Sequence, residues 1–221
     1  MKVNLTRNQI LAAMPKIAVG LGKYLCIQAV VQGGADLTRD PIFQKKFNGF
    51  YRVRRNEKWR RIYFKLLEHE RQQKKLARRT FQQVLEEIEQ QTKRVEASFA
   101  SKLVATVDPL QPVIDSVVLA NVGGRLPYPK KLNRVQVIGA MHKQLVGCYR
   151  AYLRSPDGKF LVTSFKSHYP KARISEVKML DLVIWQTRKA KPATSPKVRL
   201  SKKGSSKNNS KKGVLKNHND T

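Results

Sequence analysis

A chain of 221 residues, 41% of them apolar, is long enough to bury one core of ordinary size. Its formal net charge of +30 excludes an ordinary globular composition: self-repulsion of that size weakens a compact fold, and the usual reason to carry it is a polyanionic partner, nucleic acid first. Cys26 and Cys148 stand in apolar surroundings without CxxC spacing and are expected to be buried free thiols of a reducing compartment. His69, His142, His168 and His218 have no partner at ligand spacing, which argues against a metal site.

Residues 1–33 read as helix, with Pro15 the expected interruption and Gln32-Gly33-Gly34 the stop. The most apolar run there, Tyr24 to Val31, is too short to span a bilayer, so a core helix is expected and no membrane contact. Asp40-Pro41 starts a second helix, with Pro at the position where its missing N–H is harmless, and Phe43, Phe47 and Phe50 follow at helical spacing. From Asn56, the residues Trp59, Ile62, Tyr63, Leu66 and Leu67 mark one buried helical face. Thr80 with Gln83 forms a capping box ahead of Phe81, Val84, Leu85 and Ile88, so 56–91 reads as two helices.

The next helix runs from Ser98 to Thr106, breaks at Asp108-Pro109 and Pro112, and restarts at Asp115-Ser116 toward Gly123. An Asp at that restart accepts the first-turn N–H groups and faces the positive end of the helix dipole. After a loop through Gly123-Gly124 and Pro127-Tyr128-Pro129, a helix is predicted over about Leu132 to Leu153. Ser155-Pro156 launches another that ends near Tyr169-Pro170, and Ser175 caps a last one bearing Val177, Leu180, Ile184 and Trp185. With no sustained period-2 alternation, residues 1–187 are expected to form one all-α domain. Residues 188–221 hold eleven basic residues against one Asp and no aromatic, and are expected to be a disordered basic tail.

The run Arg52 to Arg61 is nearly all of one sign, whereas solvated charge usually mixes signs. Arg52, Arg54, Arg55, Arg60 and Arg61, with Lys74, Lys75, Arg78 and Arg79 beyond them, are therefore expected to meet phosphates. Trp59 and Tyr63 fall on the apolar stripe, which favours core packing over base stacking.

The string Ser101-Lys102, an apolar helix, a short loop and then Pro112-Val113-Ile114-Asp115-Ser116-Val117-Val118 resembles the core signature of the helix-hairpin-helix DNA glycosylase superfamily, nearest its small 8-oxoguanine-glycosylase-like members. The resemblance covers about residues 80–125. It implies a fold that bends duplex DNA and flips a damaged base, with Asp115 as the carboxylate beside the sugar and Lys102 as a Schiff-base nucleophile. The family hairpin carries G-x-G where Thr92 to Ala97 has no glycine, so the alternative is a DNA- or RNA-binding helical protein that keeps the fold without the chemistry. No cofactor is implied. The expected partner is duplex DNA, with RNA as the alternative, for a monomer inside the cell, in cytoplasm, nucleoid or nucleus.

Overall fold

Helix starts in this chain are chemical events at single residues, and the computed structural model, which describes residues 1–129 and 132–187, shows them directly. Thr6 and Thr80 form full capping boxes with Gln9 and Gln83, opening α1 (Arg7–Gln32) and α4 (Phe81–Thr92). Asp40, with Pro41 behind it, caps α2 (Pro41–Tyr51), and Asn56 caps α3 (Glu57–Gln72). Asp115 caps the short α6 (Ser116–Asn121), Ser155 caps α8 (Pro156–His168) and Ser175 caps α9 (Glu176–Gln186). Two helices lack a side-chain cap, α5 (Ala97–Val107) after Glu96 and α7 (Arg134–Arg154) after Asn133. Between α3 and α4 lies a single 3-10 turn, Lys75–Ala77. No strand occurs among the described residues, so the domain is all-α as expected. The expected tail lies outside the described residues.

The helices pack around α9. Val177 to Ile184 are all buried, so this helix is enclosed on every side, touching α1, α6, α7 and α8. α1 lies against α2, α8 and α9, while α3, α4 and α5 pack on one another and α4 also meets α7. The aromatic core sits where α2, α3 and α5 converge: Phe47 contacts Tyr51, Tyr63 and Phe64, and Trp59 stacks on Tyr63 at 5.1 Å and packs against Phe99. Trp59 and Tyr63 are thus core side chains, as the stripe predicts.

Two expectations need correction. Pro15 does not interrupt α1. Met14 and Ile17 are wholly buried on either side of it, and the Tyr169 hydroxyl donates to the Met14 carbonyl, so tertiary contacts hold the turn that lacks the proline N–H. Cys26 is exposed and Cys148 only half-buried. Cys26 falls outside the buried stripe of α1 (Ile10, Ala13, Met14, Ile17, Leu21, Tyr24, Ile27), and the Cys148 thiol donates to the Met1 carbonyl. The run Tyr24 to Val31 is also part of a 26-residue helix that, by length and composition, is long enough to cross a membrane; in this fold one of its faces packs into the core.

The turn between α4 and α5 covers the glycine-free stretch from Thr92 to Ala97. Lys93 there adopts φ 58° and donates its N–H to the Glu89 carbonyl, so a lysine holds the left-handed position that ends α4.

Candidate functional site

The segment between α5 and α6 is fastened from three helices. Ser101 on α5 accepts the Ile114 N–H at 2.8 Å and donates to the Ser98 carbonyl. Ser175, at the start of α9, donates to the Pro109 carbonyl at 2.5 Å, and the His142 ring of α7 contacts the Pro112 carbonyl through Nε2 at 3.4 Å. Val113 and Ile114 are wholly buried, so the chain enters α6 along a fixed path. At its end Asp115, half-buried, accepts the N–H groups of Val117 and Val118 through Oδ1, both at 2.8 Å. Oδ2 accepts none among the described residues. One oxygen caps the helix and the other is left to meet whatever approaches.

Lys102, one residue beyond Ser101, is 9% exposed. Its Nζ donates to the Tyr51 carbonyl at 2.9 Å and lies 5.0 Å from the centroid of the Phe99 ring. Both contacts hold the side chain in the core, against α2 and along α5.

A polar centre that no motif in the sequence marks lies on α9. Lys178 and Asp181 of α9, both 0% exposed, form an ion pair at 2.9 Å, and the Tyr149 hydroxyl donates to the other Asp181 oxygen at 2.9 Å. The Lys178 ammonium lies over the rings of Tyr24 and Trp185 at 5.1 and 5.3 Å. The Tyr51 hydroxyl and the Trp185 indole N–H are buried without a hydrogen-bond partner among the described residues. Burial pushes the Asp181 carboxyl above its ordinary range against the pull of Lys178, and burial together with Asp181 pushes the Tyr149 hydroxyl well up. The Asp115 charge adds to both shifts, which places it within electrostatic reach of the pair. The available signal was Lys178 and Asp181 standing three apart inside the apolar run Val177 to Ile184.

The nine expected phosphate ligands divide. Arg55 bonds Glu96 at 2.7 Å and lies over the Phe99 ring, Arg78 donates to the Val107 carbonyl at 2.6 Å, and Arg79 pairs with the buried Glu70 at 2.6 Å. These three tie loops to the core. Arg61 pairs with Glu57 in an exposed i, i+4 contact, and Arg60 is half-buried. Arg52, Arg54, Lys74 and Lys75 are exposed and in no ion pair among the described residues. Beside them Leu76 is fully exposed at the tip of the 3-10 turn whose far side Arg78 and Arg79 anchor. Among the described residues no group of three His, Cys, Asp or Glu comes together that could hold a metal ion.

His142 gives this region a pH dependence. Stacked on Phe81 at 4.1 Å and 3% exposed, its ring is desolvated and its pKa is lowered from 6.5 to about 4. Between those values the unfolded chain takes up a proton that the folded chain refuses, so the stability this ring contributes is intact above pH 6.5 and is lost as pH falls toward 4. The loss should reach about 2–3 kcal/mol. Urea unfolding of the wild type and His142→Gln on either side of this window should show the wild type losing that much more than the variant; parallel losses would contradict a buried neutral ring.

Compared with known proteins, the chain matches no family model, no curated protein and no solved structure.

Proposed function

We propose that this protein binds nucleic acid, duplex DNA in preference, through the cationic surface carried by residues 52–76. The observation behind this reading is that, of the nine cations singled out in the sequence, Arg52, Arg54, Lys74 and Lys75 are exposed and in no ion pair among the described residues, on a chain of net charge +30. Neutralising phosphates releases condensed counterions, so affinity should fall steeply with salt. Leu76, an apolar tip between basic residues, is the side chain assigned to enter a base step that the protein opens.

Fluorescence anisotropy on duplex DNA, single-stranded DNA and structured RNA provides the test. Four phosphate contacts alone imply a fall of about 100-fold in affinity between roughly 50 and 200 mM salt. Replacing these four cations by Gln should lower the salt slope by about 3 to 4, at about 0.9 per lost phosphate contact, without lowering the melting temperature. Binding that ignores salt, or that prefers structured RNA, would overturn the duplex reading.

A second reading, hydrolysis of a damaged base's glycosidic bond, rests on one observation: Asp115 is held by two N–H groups on Oδ1 while Oδ2 carries no hydrogen bond among the described residues. A fixed carboxylate beside the sugar stabilises the positive charge that develops as the base leaves. This reading places the chain with the helix-hairpin-helix glycosylases and casts Lys102 as a structural residue. Asn caps helices as well as Asp does, so Asp115→Asn should keep the fold. It is expected to abolish release of 8-oxoguanine from a duplex; no release by the wild type, or equal release by the variant, would leave the protein a binder without chemistry.

A further inference from the structure

The open groove between α2 and α3 belongs to neither Asp115 nor the 3-10 turn. It is a cleft of about 660 Å³, walled on the α2 side by Pro41, Gln44, Lys45 and Asn48 and on the α3 side by Arg60, Arg61, Phe64 and Lys65. Those residues fall at i, i+3, i+4, i+7 on one helix and i, i+1, i+4, i+5 on the other, so each helix presents one continuous ridge. Four of the lining side chains are cationic and one, Glu57, is anionic and already paired with Arg61. Lys45, Arg60 and Lys65 are in no ion pair among the described residues. The floor is closed to stacking, since Phe64 is 1% exposed and engaged with Phe43 and Phe47. At one end Asn48 holds its Oδ1 buried and without a hydrogen-bond partner among the described residues.

We infer that this groove is the seat of one sugar-phosphate strand of the bound nucleic acid. The inference rests on the nucleic-acid reading and adds to it Lys45, Asn48 and Lys65, which stand outside the run from Arg52 to Arg61. From Glu57 to Lys65 the α3 wall rises about 12 Å, room for about two successive phosphates of one strand, because the roughly 3.4 Å repeat is measured along the duplex axis and the backbone itself winds obliquely to it. The cations suit phosphate oxygens, and at the Asn48 end the side-chain Nδ2–H is the group that can donate to one, its buried Oδ1 being an acceptor that takes no part. A floor of packed aromatic edges offers no base a place, so the groove reads the backbone and carries no sequence preference.

The test is anisotropy of a labelled duplex with the wild type, Arg60→Gln/Lys65→Gln, and Lys74→Gln/Lys75→Gln, each at several salt concentrations. The groove variant is expected to bind about 10-fold more weakly near physiological salt and to lower the salt slope by about 2, because each lost phosphate contact removes about 0.9. Unchanged affinity and slope in the groove variant, with wild-type binding intact, would overturn the groove while leaving the nucleic-acid reading in place; no binding by the wild type would overturn both. Amide chemical shifts separate a strand from a free anion. The Asn48 side-chain amide should move with duplex and not with inorganic phosphate alone, and saturation by millimolar phosphate in the absence of DNA would overturn the strand as occupant.

Discussion

Lys178→Met should destabilise the fold by about 3–5 kcal/mol, because it leaves the Asp181 carboxylate inside a helix with no route to water. Both partners are 0% exposed and every residue from Val177 to Ile184 is buried, so solvent cannot replace the lost ammonium. The Tyr149 hydrogen bond remains to Asp181 but cannot balance a whole charge. Removing both charges together is a different perturbation. Lys178→Met/Asp181→Leu should recover most of the loss, since the desolvation of two ions disappears with their attraction. Urea unfolding of the two variants measures this directly. A loss below about 1 kcal/mol in the single variant would mean that the pair is solvated, not enclosed.

Gly158→Ala should cost about 3 kcal/mol, for a reason unrelated to backbone freedom. A Cβ at this position would stand 2.0 Å from the Tyr152 carbonyl oxygen and 2.6 Å from the Leu153 Cα. Ser155 is at once the residue that ends α7 and the cap that starts α8, so the first turn of α8 lies directly against the last turn of α7. What the new methyl meets is main chain, which cannot swing aside as a side-chain end would. Gly147→Ala in α7 is the matched control. Nothing lies within 4 Å of its added Cβ, so replacing an exposed mid-helix glycine should raise stability by up to about 1 kcal/mol. Melting temperatures moving in opposite directions for the two variants would support this account, and similar shifts would contradict it.

Both predictions depend on what packing between helices encloses or crowds, and that marks the line between what the chain states locally and what folding decides. Cap residues act within one turn, which is why Asp40-Pro41, Asn56, Thr80 with Gln83, Asp115, Ser155-Pro156 and Ser175 could each be read as helix starts and why the helices begin at them. Periodicity likewise placed Trp59 and Tyr63 in the core. Asn133 carries no side-chain cap bond, and the start of α7 lay correspondingly two residues beyond its expected place.

Charge was harder to read. The run from Arg52 to Arg61 looks like one cationic strip because the carboxylates that answer it are elsewhere in the chain, Glu96 for Arg55 at the start of α5, just as Arg79 meets a Glu70 hidden on α3. Lys102 could be singled out by its neighbours, but its partner is the Tyr51 carbonyl on another helix.

By itself, then, the sequence determined an all-α domain, its helix starts, its aromatic stripe and an excess of positive charge, since each follows from interactions within a turn or from composition alone. The tertiary structure decided which cations stay exposed, which side chains enclose the Lys178–Asp181 pair, and that the outer ridges of α2 and α3 leave a cleft above their packed aromatic rings. Those outcomes depend on which helices meet, and a desolvated charge or an open cleft is set by neighbours that no local pattern names.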